Sequence, residues 1–216
     1  MKIEVNNLSF SYKKKSAPVL DGASVVLEEG NIYALLGPNG SGKTTFANLI
    51  LGLLKPSGGS ITIDGKDAGK ISAAQRAKSI GYLFQNPDMQ LFAPTVMEEL
   101  TFPFEIEGAL TDEKKEELKK TLKDFGLEGM EERFPLTMSG GEKQRLALAT
   151  VMSRSVKFLI LDEPTSAIDM GGREFISDFV NGFAGGALII THDKEFLESL
   201  KNPKILTLKG GKIYEA

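Results

Sequence analysis

Gly37-Pro38-Asn39-Gly40-Ser41-Gly42-Lys43-Thr44 decides the fold. The octapeptide matches G-x-x-x-x-G-K-[ST] in full. An apolar run, Ile32 to Leu36, precedes it, and a segment of helical period follows, with Phe46, Leu49, Ile50 and Leu53 at i, i+3, i+4 and i+7. Strand, glycine-rich turn and helix form the setting of a phosphate-binding loop; a chance glycine turn ending in Lys-Thr would lack those flanks. Gly37, Gly40 and Gly42 let backbone N–H groups turn inward without a Cβ in the way, and the helix beginning near Gly42 adds its positive dipole end. Lys43 supplies a point charge to the β- and γ-phosphates of a nucleoside triphosphate, and Thr44 offers a hydroxyl to Mg²⁺. Pro38, Asn39, Ser41 and Thr45 belong to the same cradle.

Outward from the loop, short strands come first: Ile3-Val5, Leu8-Phe10 and Ser24 to Leu27, with a turn at Glu28-Glu29-Gly30. Beyond the helix, Pro56-Ser57-Gly58-Gly59 reads as its terminator, and Ser60 to Ile63 and Ile80 to Phe84 as further strands. Residues from about 94 to 153 are mostly helical, and Asp112 to Phe125 sets Leu118, Leu122 and Phe125 against a charged background, the pattern of a solvated helix. Phe158 to Leu161 and Leu188 to Thr191 are buried strands; Phe175, Phe179, Val180 and Phe183 mark a helix between them. Lys194 to Leu200 reads as a short helix, and Ile205 to Leu208, Gly210-Gly211 and Lys212 to Tyr214 as a closing hairpin. Buried strands alternating with helices predict an α/β domain with a mainly parallel sheet. We expect one domain over 1–216, its core from about 1–93 and 155–216 and an inserted helical subdomain over about 94–154.

Composition narrows the chemistry. The 216 residues hold no cysteine and one histidine, which excludes disulfides, thiolate metal sites, a cysteine nucleophile and multi-histidine centres. A net charge of −3 gives no electrostatic footprint for nucleic acid, so none is expected as a partner. The N-terminus lacks a signal pattern, and no apolar run approaches the roughly 18–20 residues of a spanning helix. A role at a membrane would therefore run through a partner. The 23 glycines exceed the ordinary share, and the phosphate loop accounts for some of them.

Phe158-Leu159-Ile160-Leu161-Asp162-Glu163 carries a buried strand into two carboxylates. At the C-terminal end of such a strand, beside a phosphate loop, Asp162 is placed to coordinate Mg²⁺ directly or through water, and Glu163 to accept a proton from an attacking water. His192 ends another parallel strand on the same side and is placed to donate a hydrogen bond to a γ-phosphate and sense its loss.

Together these pieces resemble the ATP-binding cassette (ABC) family. Ser139-Gly140-Gly141-Glu142 followed by Lys143-Gln144-Arg145 is similar to that family's signature motif, usually Leu-Ser-Gly-Gly-Gln; Ser166-Ala167-Ile168-Asp169 resembles its D-loop. Gln85 resembles the Q-loop glutamine, and Tyr12, 25 residues before Gly37, the aromatic that stacks on adenine. The resemblance implies a P-loop NTPase fold with an N-terminal antiparallel β subdomain and an inserted α-helical one. It also implies an ATP-hydrolysing subunit of an ABC transporter, with ATP and Mg²⁺ as cofactors, Gln85 beside Thr44 and Asp162 at the metal, and Lys43, Gln85, Glu163 and His192 in catalysis. Two cassettes, in a homodimer or heterodimer, would face head to tail. ATP on one phosphate loop would then be closed over by the other chain's Ser139-Gly140-Gly141, whose bare amides sit at a helix start. Transmembrane subunits would feel this closure through the segment around Gln85 and the helical insert, holding the chain at the cytoplasmic face of the cell membrane.

Gln85-Asn86-Pro87-Asp88-Met89-Gln90-Leu91-Phe92, with Thr95-Val96 and Glu98-Glu99, further resembles the ATPases of energy-coupling factor importers of metal ions and vitamins. Several residues keep a plainer reading. Tyr12 also fits a strand residue with a wet hydroxyl, Gln85 a polar loop residue, Gly140-Gly141 a glycine helix start, and Asp169 the cap of the next helix. Three departures stand out. Met138 replaces leucine with little change of volume. Glu142 replaces glutamine, which suits a helix N-terminus but brings negative charge near a bound triphosphate. Only residues 193–216 follow His192, whereas many energy-coupling factor ATPases continue further, which fits a chain paired with a different ATPase. The competing functions are a soluble ABC ATPase that remodels a macromolecular complex and, last, a P-loop kinase acting on a small molecule. One phosphate loop, no long heptad run and an acidic balance weigh against the first; Ser139-Gly140-Gly141 and His192 are unneeded in the second.

Overall fold

The computed structural model describes residues 1–13, 17–166 and 168–215. Its elements in chain order are β1 (Lys2–Phe10), β2 (Leu20–Glu28), β3 (Ile32–Leu36), α1 (Lys43–Leu51), β4 (Gly58–Ile63), β5 (Lys66–Asp67), α2 (Ala73–Arg76), β6 (Ile80–Leu83), α3 (Val96–Ile106), α4 (Asp112–Asp124), α5 (Gly140–Met152), β7 (Phe158–Asp162), α6 (Met170–Gly182), β8 (Gly186–Ile190), α7 (Lys194–Ser199), β9 (Lys204–Lys209) and β10 (Lys212–Glu215). They build an antiparallel sheet of order β2-β1-β4-β5 and a six-stranded sheet of order β10-β9-β3-β8-β7-β6. In the larger sheet every neighbouring pair from β9 to β6 is parallel, and β10 adds an antiparallel edge.

The period-two alternation of β7 explains how one sheet supports two cores. Phe158 and Ile160 point into a core shared with the antiparallel sheet and with Phe46, Leu49 and Ile50 of α1. Leu159 and Leu161 point the other way, into a core with α3, α4, α5 and α6. A strand buried on both faces has to be apolar at every position until it leaves the sheet, which is the pattern read from 158 to 161. Helix α4 buries only Leu118 and Leu122, and its charged face carries the i,i+3 pairs Lys114–Glu117, Lys115–Asp112 and Lys119–Glu116. No helix among the described residues is long and apolar enough to cross a membrane.

Some boundaries differ from the sequence reading for local reasons. Helix α1 stops at Gly52, in the left-handed region at φ 77°, whose N–H bonds back to Asn48 and Leu49. Pro56-Ser57-Gly58-Gly59 is therefore not the terminator, and Leu53 leaves the helical stripe to lie exposed. The two short runs 3–5 and 8–10 are halves of one strand, broken in register between Val5 and Leu8, where Asn7 takes φ 48°. Strand β5 and helix α2 were not legible. They bring in Arg76, a buried cation without apolar signature, whose guanidinium donates to the carbonyls of Leu49, Ile50, Ala68 and Ile71.

Candidate nucleotide-binding site

Four parallel strands deliver the site. The turn after β3 is Gly37 to Gly42, β7 ends on Asp162 with Glu163 next, β8 leads to Thr191-His192, and β6 leads through Phe84 to Gln85. All lie at the carboxyl ends of the strands, where open parallel sheets gather ligands. A cleft of about 540 Å³ there is lined by Tyr12, Val19, Asn39, Gly40, Gly42, Lys43, Thr44, Thr45, Gln85, Asp162, Glu163 and His192.

The loop geometry explains its residues. Gly42 caps α1 at φ 105°, and a Cβ there would meet Val19 Cγ1 at 2.7 Å; at Gly37 a Cβ would meet the Leu208 carbonyl oxygen at 2.6 Å. Lys43, buried at the first position of α1, donates from Nζ to the carbonyl oxygens of Gly37 (2.8 Å) and Pro38 (3.2 Å). The loop thus wraps around its ammonium, leaving the charge inside the cradle. Ser41 Oγ is buried without a hydrogen-bond partner.

Thr44 Oγ1 donates to Asp162 Oδ2 at 2.7 Å, and the Tyr82 hydroxyl donates to the same oxygen at 3.2 Å. Burial, first, and the neighbouring Glu163 charge raise the Asp162 carboxyl above its usual value, against the pull of Thr44, Tyr82 and Lys43. Burial likewise pushes the Tyr82 phenol up. A buried carboxylate bonded to a hydroxyl, in a cleft that Gln85 also lines, is a hard-oxygen donor set. It suits Mg²⁺, which takes one or two protein ligands and completes its shell with phosphate and water. No group of three or more His, Cys, Asp or Glu side chains that could hold a metal ion occurs among the described residues.

Glu163 is nearly buried and sits in the left-handed region at φ 47°, a conformation costing about 1–2 kcal/mol outside glycine. Its N–H bonds to the Ile190 carbonyl at 2.8 Å, and its Oε1 lies 2.8 Å from His192 Nδ1. The histidine side chain is 74% exposed against 11% for the glutamate, so the pair has one dry end and one wet end. The sequence placed both residues at the site but not this bond between them.

Tyr12 presents an exposed ring, packed edge-on against Phe10 at 5.0 Å, and its hydroxyl lies 2.9 Å from Thr45 Oγ1. Gln85 is exposed, and its carbonyl accepts from Ser166 Oγ at 3.3 Å. Asp169 caps α6, accepting from the Gly172 N–H at 2.8 Å; Ala167, the second residue of the D-loop stretch, lies outside the described residues.

Ser139, Gly140, Gly141 and Glu142 do not line this cleft. They form the first turn of α5 with a reciprocal cap. Ser139 Oγ accepts from the Glu142 N–H at 3.3 Å, and Glu142 Oε2 accepts from the Ser139 N–H at 2.7 Å. The helix start is thus a serine cap, with the two glycine amides left without an acceptor among the described residues. The Ser139 amide, the Ser139 hydroxyl and then Arg133 hold the Glu142 carboxyl below its usual value. Two contacts tie this helix to the stretches that follow Glu163 and Gln85: Gln144 Nε2 donates to the Pro164 carbonyl (3.0 Å), and Lys143 pairs with Asp88 (2.8 Å).

Tyr82 and Val19 escaped the sequence reading, and Gln144 was read there only as part of the signature segment. Tyr82 had one available signal: a polar-tipped aromatic within the apolar strand that leads to Gln85.

Comparison with known proteins agrees with this geometry. The sequence model of the ABC transporter family matches residues 20–166. An energy-coupling factor transporter ATP-binding protein of Thermotoga maritima is 38% identical over 93% of this chain and 76% of its own length. Among solved structures, CbiO1 of Clostridium perfringens, part of the ABC transporter complex CbiONQ, superposes with a TM-score of 0.84 at 29% identity, covering 98% of this chain and 86% of its own. An ATP-binding cassette solved as a dimer in a post-hydrolysis state with ADP and phosphate also gives 0.84, at 25% identity over 99% and 97% of the two chains. Phosphate loop, acidic strand end and a capped glycine helix start outside the cleft thus occur here in a chain that belongs to the ABC transporter family, as an ATP-binding, ATP-hydrolysing subunit.

Proposed function

We propose that the chain powers a membrane importer of the energy-coupling factor type, for metal ions or vitamins, by closing on a second ATPase chain around ATP and Mg²⁺ and reopening on hydrolysis. The observation that carries this reading is the separation of the two glycine segments. Lys43 and its loop line the cleft, while Gly140 and Gly141, with their bare amides, do not, so a triphosphate in the cleft would meet such amides on another chain. Tyr12 would hold the adenine, Gly37 to Thr45 the phosphates, and Thr44, Gln85 and Asp162 the Mg²⁺, which supplies charge neutralisation at the transferred phosphoryl group. Glu163 would take the proton from an attacking water, and His192, bonded to that carboxylate and largely exposed, would hold it in place and be free to donate to a γ-phosphate.

The membrane partner has a candidate seat. Phe92 and Phe102 meet edge to face at 4.8 Å beside a groove of about 300 Å³, which Leu53, Phe84 and Gln90 also line, one residue stretch away from Gln85. An apolar segment of a transmembrane subunit seated there would anchor the chain at the cytoplasmic face of the membrane and feel motion at Gln85. The test is twofold. The Glu163→Gln variant should form an ATP- and Mg²⁺-dependent dimer, alone or with a second cassette, and the native chain should co-purify with membrane subunits through Phe92 and Phe102. Co-purification with ribosomes or nucleic acid in their place would reject the importer.

A further inference from the structure

We infer that Arg133 is a positioning residue of the Ser139-Gly140-Gly141 segment, whose charge cancels that of Glu142 so that the segment can accept the triphosphate bound by a second chain. The inference rests on the two-chain reading above. Glu142 stands in the first turn of α5, on the same turn as the two free glycine amides, and its carboxylate is ionised. A carboxylate there favours the helix dipole but repels the phosphate that the amides are meant to receive. Arg133 answers both demands. Its Nη1 lies 3.2 Å from Glu142 Oε1, while the other carboxylate oxygen stays on the Ser139 amide.

The guanidinium is held from behind. Its Nη2 donates to the Thr137 carbonyl at 3.4 Å, and the Arg133 carbonyl accepts the Val96 N–H at 3.0 Å, fixing its backbone to the start of α3. The strap from 133 to 142 therefore delivers a nearly neutral surface, with its hydrogen-bond donors intact, to the approaching phosphate. Two roles of Arg133 are separable. As a strap it orders the loop whatever residue 142 is; as a counter-charge it is needed only while residue 142 is acidic.

The discriminating experiment measures ATP- and Mg²⁺-dependent dimerisation by sedimentation in a Glu163→Gln parent, with R133Q, R133K, E142Q and R133Q/E142Q added, each verified folded by thermal melting. R133Q should raise the ATP concentration for half-maximal dimerisation by about two- to fivefold per site, the range for one charge at a helix terminus. E142Q should lower it, R133K should match the parent, and R133Q/E142Q should return to the parent value. A double variant as weak as R133Q, or an R133Q equal to the parent, overturns the counter-charge role. A parent that stays monomeric at saturating ATP and Mg²⁺ overturns the two-chain reading and this inference with it.

Discussion

His192 Nδ1 lies 2.8 Å from Glu163 Oε1, bridging the residues that follow two adjacent parallel strands. A glutamate held in the left-handed region on one side and by a histidine on the other has little freedom to turn from a water at the phosphate. Removing the base itself, Glu163→Gln, should lower ATP turnover by about 100-fold or more while ATP binding persists. His192→Ala should lower kcat by about 100-fold through misplacement of Glu163, with a smaller change in ATP affinity. Steady-state hydrolysis beside equilibrium nucleotide binding reads both. Equal loss in binding and turnover for His192→Ala would place the histidine on bound ATP rather than on the glutamate.

Asp162 sets a pH signature for the nucleotide-free protein. Burial, above all, lifts its carboxyl above the ordinary 3.8, so the folded chain holds this proton more tightly than the unfolded chain. A group that binds more protons when folded makes stability fall as pH rises. The contribution of Asp162 is therefore greatest below 3.8 and declines as pH climbs through the higher folded value, leaving at neutrality a buried carboxylate that Thr44, Tyr82 and Lys43 offset only in part. Asp162→Asn should raise the melting temperature of the nucleotide-free protein at pH 7 by roughly 2–4 °C, the shift of about 1 kcal/mol in a chain of this size. The same variant should lose the extra stabilisation that Mg²⁺ adds to ATP. An unchanged or lower melting temperature without nucleotide would reject the burial account.

How much of this was legible in the sequence follows from range. Gly37 to Thr44 is read locally, because strand, turn chemistry and helix period occupy one continuous stretch. Asp162 and His192 were found because each ends an apolar run, and apolar runs buried on both sheet faces announce parallel strands. What was hidden is pairing across the chain. Tyr82 reaches Asp162 across 80 positions and Thr44 reaches it across 118, and no period in sequence encodes either contact. Arg133 is hidden for another reason. Among the many charges between 112 and 133 it looks like one more solvated residue, and only the fold brings it back to Glu142.

Arg76 should prove structural rather than catalytic. Its Nη1 donates to the carbonyls of Leu49 (3.1 Å) and Ile50 (2.6 Å) at the end of α1, and its Nε donates to that of Ile71 (3.1 Å). A buried guanidinium spread over several carbonyls caps the negative end of the helix that begins with Lys43. Arg76→Met leaves the Ile50 and Ile71 carbonyls without that donor, while Leu49 keeps the Gly52 N–H, and should destabilise the fold by about 2–4 kcal/mol in urea unfolding. ATP affinity of the folded fraction should stay within about twofold, since α1 is anchored at its other end by the phosphate loop. A variant of native stability would show that water replaces the guanidinium at no cost.

Tyr12 offers two surfaces with separable predictions, an exposed ring and a hydroxyl 2.9 Å from Thr45 Oγ1. If the ring stacks on adenine, Tyr12→Ala should weaken ATP binding by roughly 5- to 30-fold, the range of one base–aromatic stack. Tyr12→Phe keeps the ring and loses one partly exposed hydrogen bond, so it should cost about two- to fivefold. Inorganic tripolyphosphate sharpens the contrast because it fills the phosphate loop and lacks a base. Tyr12→Ala should bind it about two- to fivefold more weakly than the parent, as Tyr12→Phe does, since the hydroxyl is lost but no stack is. Were the alanine variant to lose tripolyphosphate as strongly as ATP, the tyrosine would act through Thr45 on the phosphate loop itself. Calorimetric titration of both ligands against the three proteins separates a residue that reads the base from one that braces Thr45.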